Sequence, residues 1–305
     1  MYSIGILNIS LLALTCLTVS ASGFGSRSQG HSRGLADVRP RSSCSELKQS
    51  FDELEVARAE QRVALTRAQA NPLIIHPPTN DGLQVQGWDR DEYSITACIA
   101  AGAPTVEEAR SRAEEIKISV VNGQVRYDGP SGSSTWSVFL LVNAPRSADL
   151  DLETENGPIG LYEVQGQVTA RATNGPITMR RCSGDIHLDT ENGPVSVQGG
   201  GGDVHARTSN GPISLALEGE RWEGAGLEAS DQNGPLQVEL PEQFVSGVRI
   251  ESGQYSPWHC GGPCAKGRKD WSDQGRSIEF GSGRIVVRVS TVNGPVWVEG
   301  AHGSL

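Results

Sequence analysis

Apolar and polar residues alternate with a fixed period through the middle of the chain. Between residues 149 and 215, four Asn-Gly-Pro tripeptides follow one another at steps of 18 positions. On both sides of each tripeptide, apolar residues occupy every second position, which is the period of a strand with one buried face. Those apolar positions are Leu150, Leu152, Ile159, Leu161, Val168, Ala170, Ile177, Met179, Ile186, Leu188, Val195, Val197, Val204, Ala206, Ile213 and Leu215. Each unit is therefore predicted to contain a strand, an Asn-Gly-Pro corner, a second strand and a glycine corner.

The residue types at these corners explain the prediction of a turn. Asn tolerates the left-handed region, Gly takes positive φ at little cost, and Pro fixes its own φ and lacks an N–H donor. The predicted corner residues are Asn156, Gly157, Asn174, Gly175, Asn192, Gly193, Asn210, Gly211, Asn233, Gly234, Asn293 and Gly294.

A short fixed period predicts an all-β chain in which coils of about 18 residues stack as a β-solenoid or β-helix. Stacked coils lie about 4.8 Å apart, so the side-chain amides of successive corners can hydrogen-bond along the stack. Glu153, Arg171, Asp189 and Arg207 form an outward column of alternating charge, which also favours stacking. The alternative is an antiparallel sandwich or meander, because Asn-Gly also suits a hairpin.

The segments before the repeats are predicted from their composition. Residues 1–21 resemble a secretory signal peptide, although no Lys or Arg precedes its apolar run. Residues 22–43 are rich in Ser, Gly and Arg and are predicted to be a disordered linker. Residues 44–70 contain helix formers without Gly or Pro, which predicts an α-helix that either packs on the domain or forms a short coiled coil.

Residues 71–146 are predicted to form an N-terminal β-rich cap that contains one short helix. Strand-like alternation occurs at residues 83–85, 93–98 and 116–118, and residues 106–116 follow an amphipathic helical pattern. Residues 121–127, with Asn-Gly at their start, resemble a degenerate corner. The repeats are then predicted to occupy residues 147–300, with a polar, glycine-rich loop insertion at about 252–282.

The repeated corners and the segment Gly87-Trp88-Asp89-Arg90 resemble the bacterial putative adhesin family, over roughly residues 83–299. This resemblance implies an extracytoplasmic β-solenoid domain of unknown function without established catalytic residues.

Five cysteines remain once the predicted signal peptide is removed, and an odd number leaves at least one unpaired in a monomer. Cys260 and Cys264 enclose a short flexible spacer and are a candidate disulfide. With His259 they also resemble half of a zinc site, but no second ligand cluster completes it, so no metal is predicted. The pairing of Cys44 with Cys98 stays open, and Cys182 is predicted to be a small packed residue.

Two further sets of side chains are candidates for binding a metal ion or a sugar. His187 and His205 lie one period apart, so stacking would bring their rings together, as in either a metal-binding pair or a fortuitous surface pair. Trp222, Trp258 and Trp271 fall outside the repeat positions, where they either stack on sugar rings or cover small satellite cores.

The net charge of −10 and the pI near 5.1 argue against nucleic acid or anionic lipid as the partner. The sequence lacks an H-E-x-x-H motif, and neither an enzyme nor a cofactor is predicted. The leading hypothesis is a non-catalytic exported scaffold or adhesin-like protein, in the periplasm, on the cell surface or secreted. It would bind envelope or extracellular glycans or proteins and have no transmembrane span after signal cleavage. The alternatives are a carbohydrate-active enzyme (a polysaccharide lyase or hydrolase) on a β-helix, and a self-polymerising envelope component.

Overall fold

The computed structural model describes residues 39–51, 53–77, 81–130 and 135–301. The predicted signal peptide and residues 22–38 of the predicted linker lie outside these ranges. Within them the chain is all-β, with two large sheets and one α-helix, α1 (Val106–Glu115), at the predicted position. None of the helices in the described ranges is long and apolar enough to cross a membrane.

Sheet A contains 11 strands among the described residues. In chain order its strands are β1 (Glu55–Thr66), β3 (Leu83–Trp88), β4 (Glu92–Ala103), β7 (Trp136–Pro145), β9 (Ile159–Tyr162), β11 (Ile177–Arg180), β13 (Val195–Gln198), β15 (Ile213–Ala216), β17 (Leu236–Leu240), β19 (Trp258–Cys260) and β23 (Val296–Gly300). Their order across the sheet is β1-β4-β7-β3-β9-β11-β13-β15-β17-β23-β19.

Sheet B contains 12 strands in the same part of the chain. They are β2 (Leu73–Ile75), β5 (Lys117–Val121), β6 (Gln124–Asp128), β8 (Leu150–Thr154), β10 (Gln167–Ala172), β12 (Asp185–Thr190), β14 (Gly201–Thr208), β16 (Glu223–Asp231), β18 (Ser246–Ser252), β20 (Arg268–Ser272), β21 (Gly275–Phe280) and β22 (Ser282–Thr291). Their order is β20-β21-β18-β22-β16-β14-β12-β10-β8-β2-β6-β5.

The strands of successive repeats pair in parallel at the 18-residue step. In sheet B, Val168 pairs with Leu150 on one neighbouring strand and with Ile186 on the other. In sheet A, Ile177 pairs with Ile159 and Val195 in the same way. Each repeat therefore contributes one strand to each sheet, and equivalent residues of successive repeats lie side by side.

The core lies between the two sheets and is built from the alternating apolar positions of the repeat. Leu188, Val195, Val197 and Ile186 are at most 1% exposed. Burying such side chains is the main favourable term in folding, and truncating one to Ala typically costs about 2–5 kcal/mol. The period-two pattern thus fixes which face of every strand points inward.

The predicted α-helix at residues 44–70 is wrong. Cys44–Glu46 form one 3-10 turn, and Glu55–Thr66 form β1, which pairs antiparallel with β4 along its whole length. Its Ala, Arg and Glu residues favour helix, but Ala57, Ala59, Val63 and Leu65 also alternate with exposed residues. Pairing with β4 and packing on the core outweigh the helical preference, because propensity is worth only a few tenths of a kcal/mol per residue.

Residues 39–43 are not the disordered linker that their composition predicts. They cross the outer face of sheet A, and we call residues 39–44 the strap. The backbone of Arg41 forms two hydrogen bonds with the amide of Gln84: Arg41 N donates to Oε1 at 2.8 Å, and Gln84 Nε2 donates to the Arg41 carbonyl at 2.9 Å. A disulfide from Cys44 to Cys98 of β4 holds the end of the strap.

A small satellite core lies under this region, between the strap and sheet A. It contains buried Cys98, Phe139 and Leu141, with Cys44 and Leu47 packed against them. Leu47, which lies in the segment predicted to be a helix, therefore packs against the outside of sheet A.

The predicted degenerate corner at residues 121–127 is a hairpin between antiparallel strands β5 and β6. Asn122 and Gly123 have φ values of 52° and 77°. Positive φ at both central residues is the requirement of a type I′ hairpin turn, which is the other structure that Asn-Gly favours. This position therefore belongs to the cap and is not a stacked corner.

The insertion at 252–282 is not simply a loop, because it adds strands to both sheets. Trp258–Cys260 form β19 beside β23, and the antiparallel pair β20 and β21 extends sheet B beside β18. The later strand β22 then lies between β16 and β18, and β23 lies between β17 and β19. The strands of the last Asn-Gly-Pro repeat, β22 and β23, therefore do not form the end of the stack. The end layer is formed by β18 and by the strands of the insertion, which come earlier in the chain.

Candidate functional site

The Asn residues of the six corners form one continuous side-chain ladder. In each case Nδ2 donates to Oδ1 of the Asn one layer below, from Asn174 to Asn156 at 2.8 Å through Asn293 to Asn233 at 3.0 Å. The intermediate bonds measure 3.0 Å, 3.0 Å and 3.1 Å and involve Asn192, Asn210 and Asn233 as donors. The ladder continues where the step between corners exceeds 18 residues, from Asn210 to Asn233 and from Asn233 to Asn293.

The corner glycines are required by close stacking and not by positive φ, which corrects the reason given for them from the sequence. None of the six described corner glycines is among the residues with positive φ. A Cβ on Gly175 would lie 2.1 Å from the carbonyl oxygen of Gly157, and one on Gly211 would lie 2.3 Å from that of Gly193. Only glycine lets the backbone of one corner rest on the corner below.

A buried threonine beside four of the six corners bonds to these glycine carbonyls, and Ala172 takes its place at the second corner. Thr190 Oγ1 donates to the Gly175 carbonyl at 3.1 Å, and Thr208 Oγ1 donates to that of Gly193 at 2.9 Å. At the fifth corner Asp231 occupies this column and is 3% exposed. Its Oδ1 is buried without a hydrogen-bond partner, and burial raises the pKa of the carboxyl to about 6.

The outer face of sheet A carries a straight line of polar side chains. Register pairs Thr178 with Ser196, Ser196 with Ser214, Ser214 with Gln237, and Gln237 with Trp297. We call these five residues the polar row. Their spacing is the strand spacing of about 4.8 Å. Trp297 is 42% exposed, so the row offers hydroxyl and amide groups that end at an accessible aromatic ring.

The three tryptophans predicted to bind ligands do not form one platform. Trp222 is 6% exposed, and its Nε1 donates to the Gly202 carbonyl at 3.1 Å, so no ring face is open to a ligand. Trp258 lies in β19 and is half-buried, and its Nε1 donates to Ser252 Oγ at 2.6 Å.

Trp271 is different because it is 55% exposed on β20, the edge strand of sheet B. The cationic groups of Lys269 and Arg276 lie 5.7 Å and 5.1 Å from its ring centroid. Contacts of this kind stabilise a cation over an aromatic face. Ligand binding by Trp258 and Trp271 stays a prediction.

The rings of His187 and His205 stack on the outer face of sheet B. Their centroids lie 5.0 Å apart with planes inclined by 6°. Each Nε2 lies beside the carboxylate two residues earlier, at 3.1 Å for Asp185 and 3.4 Å for Asp203. Within the described ranges no group of three or more His, Cys, Asp or Glu side chains is arranged to hold a metal ion.

The described cysteines form two disulfides and one buried thiol. Cys44 is bonded to Cys98, and Cys260 is bonded to Cys264. Cys182 is buried, and burial raises the pKa of its thiol to about 11. A thiol is a poor nucleophile when it is both inaccessible and protonated.

One buried carboxylate stands at the junction of the cap and the first corner. Asp81 is 5% exposed, accepts a hydrogen bond from Tyr127 Oη at 2.6 Å and another from Val138 N at 2.7 Å. Burial raises the pKa of Asp81 to about 6, although both hydrogen bonds oppose that rise. Its contacts tie three segments of the cap together, which is a structural role.

A cleft lies beside the strap, on the outer face of sheet A. It contains two adjoining cavities of about 500 Å³ and about 300 Å³ that share Pro40, Gln86 and Glu163 in their walls. The sequence pattern predicts neither this cleft nor the polar row. The alternation of the repeat marks both sets of residues as outward-facing, but it does not show that the strap lies over one end of the face.

Comparison with known proteins gives distant structural likenesses. No known protein family matches the chain, and no curated protein matches it. A putative adhesin from Parabacteroides merdae is 8% identical with a TM-score of 0.41, over 80% of this chain and 96% of that one. A putative adhesin from Bacteroides fragilis is 7% identical with a TM-score of 0.37, over 81% and 97%. A putative cell adhesion protein from Clostridium sporogenes is 10% identical with a TM-score of 0.32, over 80% and 100%.

Proposed function

We propose that this chain is an exported, non-catalytic protein whose repeats form a β-solenoid and whose polar row binds an extended polymer. The role is adhesin-like, and the polymer is a glycan of the cell envelope or of an extracellular surface. The site is the outer face of sheet A from Thr178 to Trp297.

The observation that carries this proposal is the fixed repeat of the polar row. Ser196 is paired in register with Thr178 on one side and with Ser214 on the other, so their side chains lie at equal intervals along a straight line. A rigid row with one interval complements a partner that also repeats, because successive units of the partner meet a hydroxyl group at the same interval from Thr178 to Ser214. Trp297 at the end of the row supplies a ring of the kind that stacks on sugars.

The rigidity of this face has a clear origin. Its backbone is held by parallel strand pairing, its inner side chains are buried in the core, and the Asn ladder joins the corners at the border of the sheet. A surface that is already ordered loses little conformational entropy on binding. Weak single contacts can therefore add up along the row.

The exposed edge of sheet B argues that the protein does not polymerise through this edge. β20 is the edge strand, every one of its residues is exposed, and it begins with Arg268 and Lys269. Charged side chains on an edge strand oppose the addition of a further strand. Sedimentation velocity across a concentration series tests this point, with a single non-growing species as the expected result.

The binding proposal is tested by co-sedimentation with insoluble envelope polysaccharide, using a double variant in the middle of the row. Ser196→Arg with Ser214→Arg places two bulky charged side chains on the line and should lower the bound fraction at least about tenfold, since the flat contact is lost. The matched control is Thr169→Arg, which also projects from the middle of a sheet but on the outer face of sheet B. Equal binding by the wild type and the row variant would overturn the proposal.

A separate measurement tests export. Fractionation of cells that express the full chain should recover the protein outside the cytoplasm, shortened at its N-terminus. Recovery of the intact chain from the cytoplasm would contradict this part of the proposal.

A further inference from the structure

The cleft beside the strap is strongly basic in a protein that carries a net charge of −10. Five arginines line the two cavities and only two glutamates do so: Arg39, Arg41, Arg62, Arg180 and Arg181 against Glu60 and Glu163. The lining therefore contributes a formal charge of +3, and it concentrates positive potential where the rest of the surface is acidic. A concave site of one sign focuses the field and attracts ligands of the opposite sign.

The two carboxylates of the cleft are paired with arginines. Glu163 Oε2 lies 2.9 Å from Arg146 Nη1, and Glu60 Oε2 lies 3.5 Å from Arg62 Nη2. Arg146 lies outside the lining of both cavities and is also 2.7 Å from Asp89. Arg146 thus compensates the charge of Glu163 from outside the lining, and Arg181 Nε in turn lies 3.2 Å from Glu218 Oε2, which is also outside the lining. The lining itself keeps its excess of arginines over carboxylates.

The backbone at the rim of the cleft is held in an uncommon conformation. Glu163 and Arg181 have φ values of 55° and 50°, in the left-handed region. They occupy equivalent positions of successive repeats, and Gly199 occupies the same position in the next repeat with φ of 59°. A side chain in this region costs roughly 1 kcal/mol relative to glycine. Two charged residues are therefore kept where glycine fits best, and both of them line the smaller cavity.

The chemistry of the lining divides along the cleft. The smaller cavity presents Arg39, Arg180 and Arg181 together with Tyr162. The larger cavity adds the amides of Gln86 and Asn143 and the hydroxyl of Thr96. Guanidinium groups bind carboxylates through paired, charge-assisted hydrogen bonds, whereas amides and hydroxyls match the hydroxyl groups of a sugar.

We propose that this cleft is a second binding site, which takes an acidic oligosaccharide with a uronate carboxylate in the smaller cavity and adjoining sugar units in the larger one. Volumes of about 300 and 500 Å³ are within the range of small-molecule sites. The strap forms one wall, so the site depends on the disulfide between Cys44 and Cys98. The cleft is distinct from the polar row, and its ligand is distinguished by charge.

The experiment is calorimetric titration of the full chain, at low ionic strength, with α-1,4-linked trigalacturonate. A neutral trisaccharide of the same length and inorganic phosphate are titrated in parallel. Trigalacturonate should bind at least about tenfold more tightly than the neutral sugar, since it alone carries carboxylates for the guanidinium groups. Raising the salt concentration should weaken its binding, because the attraction is electrostatic.

Two variants locate the site. Arg180→Gln with Arg181→Gln should lower the affinity for trigalacturonate at least about tenfold, whereas the matched pair Arg171→Gln with Arg207→Gln on the outer face of sheet B should change it less than about twofold. Cys44→Ser with Cys98→Ser frees the strap and should give a loss similar to that of the cleft variant. Thermal unfolding of each variant shows that the losses do not come from misfolding.

Three results would overturn the inference: trigalacturonate binding that is insensitive to salt, equal losses in the cleft and control variants, or phosphate competing as well as trigalacturonate, which would indicate a simple anion site. The outcome is separable from that of the polar row, because Ser196→Arg with Ser214→Arg leaves every lining residue of the cleft in place. Loss of either kind of binding alone therefore removes one proposal and leaves the other.

Discussion

Gly193 rests directly on Gly175, so that a Cβ on Gly193 would lie 2.3 Å from the Gly175 carbonyl oxygen. The same carbonyl accepts a hydrogen bond from Thr190 of the layer above. Three groups therefore meet at this corner. The Gly175 carbonyl points toward the layer above, Gly193 leaves room for it because it has no Cβ, and the Thr190 hydroxyl donates a hydrogen bond to it.

Gly193→Ala should therefore be severely destabilising. The added methyl group meets backbone that cannot move without shifting a whole layer, and we expect a loss of roughly 3 kcal/mol in the free energy of unfolding. Gly219→Ala is the comparison, since a Cβ there meets nothing within 4 Å although φ is 72°. It should cost only about 1 kcal/mol, from backbone conformation alone. Urea titration of both variants measures the difference, and equal losses would show that close stacking is not the reason for glycine.

The Asn ladder predicts a graded effect of position. Asn192 donates to Asn174 and accepts from Asn210, whereas Asn293 is the last residue of the ladder and donates to Asn233. Asn192→Ala should lower the free energy of unfolding by about 1–2 kcal/mol and Asn293→Ala by about half of that, at roughly 1 kcal/mol for each exposed amide bond.

The substitution Asn192→Asp sharpens this test. It keeps the shape of the side chain but places a carboxylate oxygen against Oδ1 of Asn174, where a donor is needed. We expect it to be at least as destabilising as Asn192→Ala at neutral pH and less so in acid, where the carboxyl can donate. A variant that is as stable as the wild type at neutral pH would argue that the ladder contributes little.

Asp231 predicts a dependence of stability on pH. Burial raises its pKa to about 6, above its ordinary value of 3.8, so the protonated form favours the folded state. The stabilisation is complete below about pH 4 and is lost as pH rises through about 6, which leaves an ionised carboxylate at a net cost at pH 7. Asp231→Asn should therefore raise the free energy of unfolding at pH 7 by about 1 kcal/mol, after allowance for solvent screening.

Asp231→Thr restores the residue that the column has at Thr190, Thr208 and Thr291, and should stabilise the protein at least as much. Denaturation at a series of pH values from 4 to 7 should show a weaker pH dependence in both variants than in the wild type. The dependence that remains is attributed to Asp81, whose pKa burial also raises to about 6. An unchanged pH profile in both Asp231 variants would contradict the assignment.

The contacts of Gln61 indicate which part of the cap unfolds locally most easily. Its side-chain amide donates to the Ile116 carbonyl and accepts from Ile118 N at 3.1 Å, which links edge strand β1 to the start of β5. Gln61→Ala removes both bonds and leaves two half-buried backbone groups to find water. Hydrogen exchange followed by mass spectrometry should become faster in residues 55–66 and 116–121, with residues 177–198 unchanged. Gln69→Ala is the control, because its bonds are local to the 3-10 turn after Thr66.

The sequence by itself determined which residues of the repeat point inward and which layers adjoin. The all-β class is confirmed, and Val168 lies between Leu150 and Ile186 because a strict period of 18 admits few other registers. Alternation at period two and a repeated corner are local signals, and they survive in the structure because every repeat has the same neighbours above and below.

Only the tertiary structure decided the conformation of the segments outside the repeat, because each of them packs against a different neighbour. β1 has the composition of a helix but becomes a strand because β4 offers a free edge, and the Asn-Gly of residues 122–123 forms a hairpin because β5 and β6 run antiparallel. The basic cleft exists because the Cys44–Cys98 disulfide holds the strap over sheet A, so arginines far apart in sequence line one cavity. These features depend on contacts between segments that share no period, and a pattern along one segment carries no information about the segment that will pack against it.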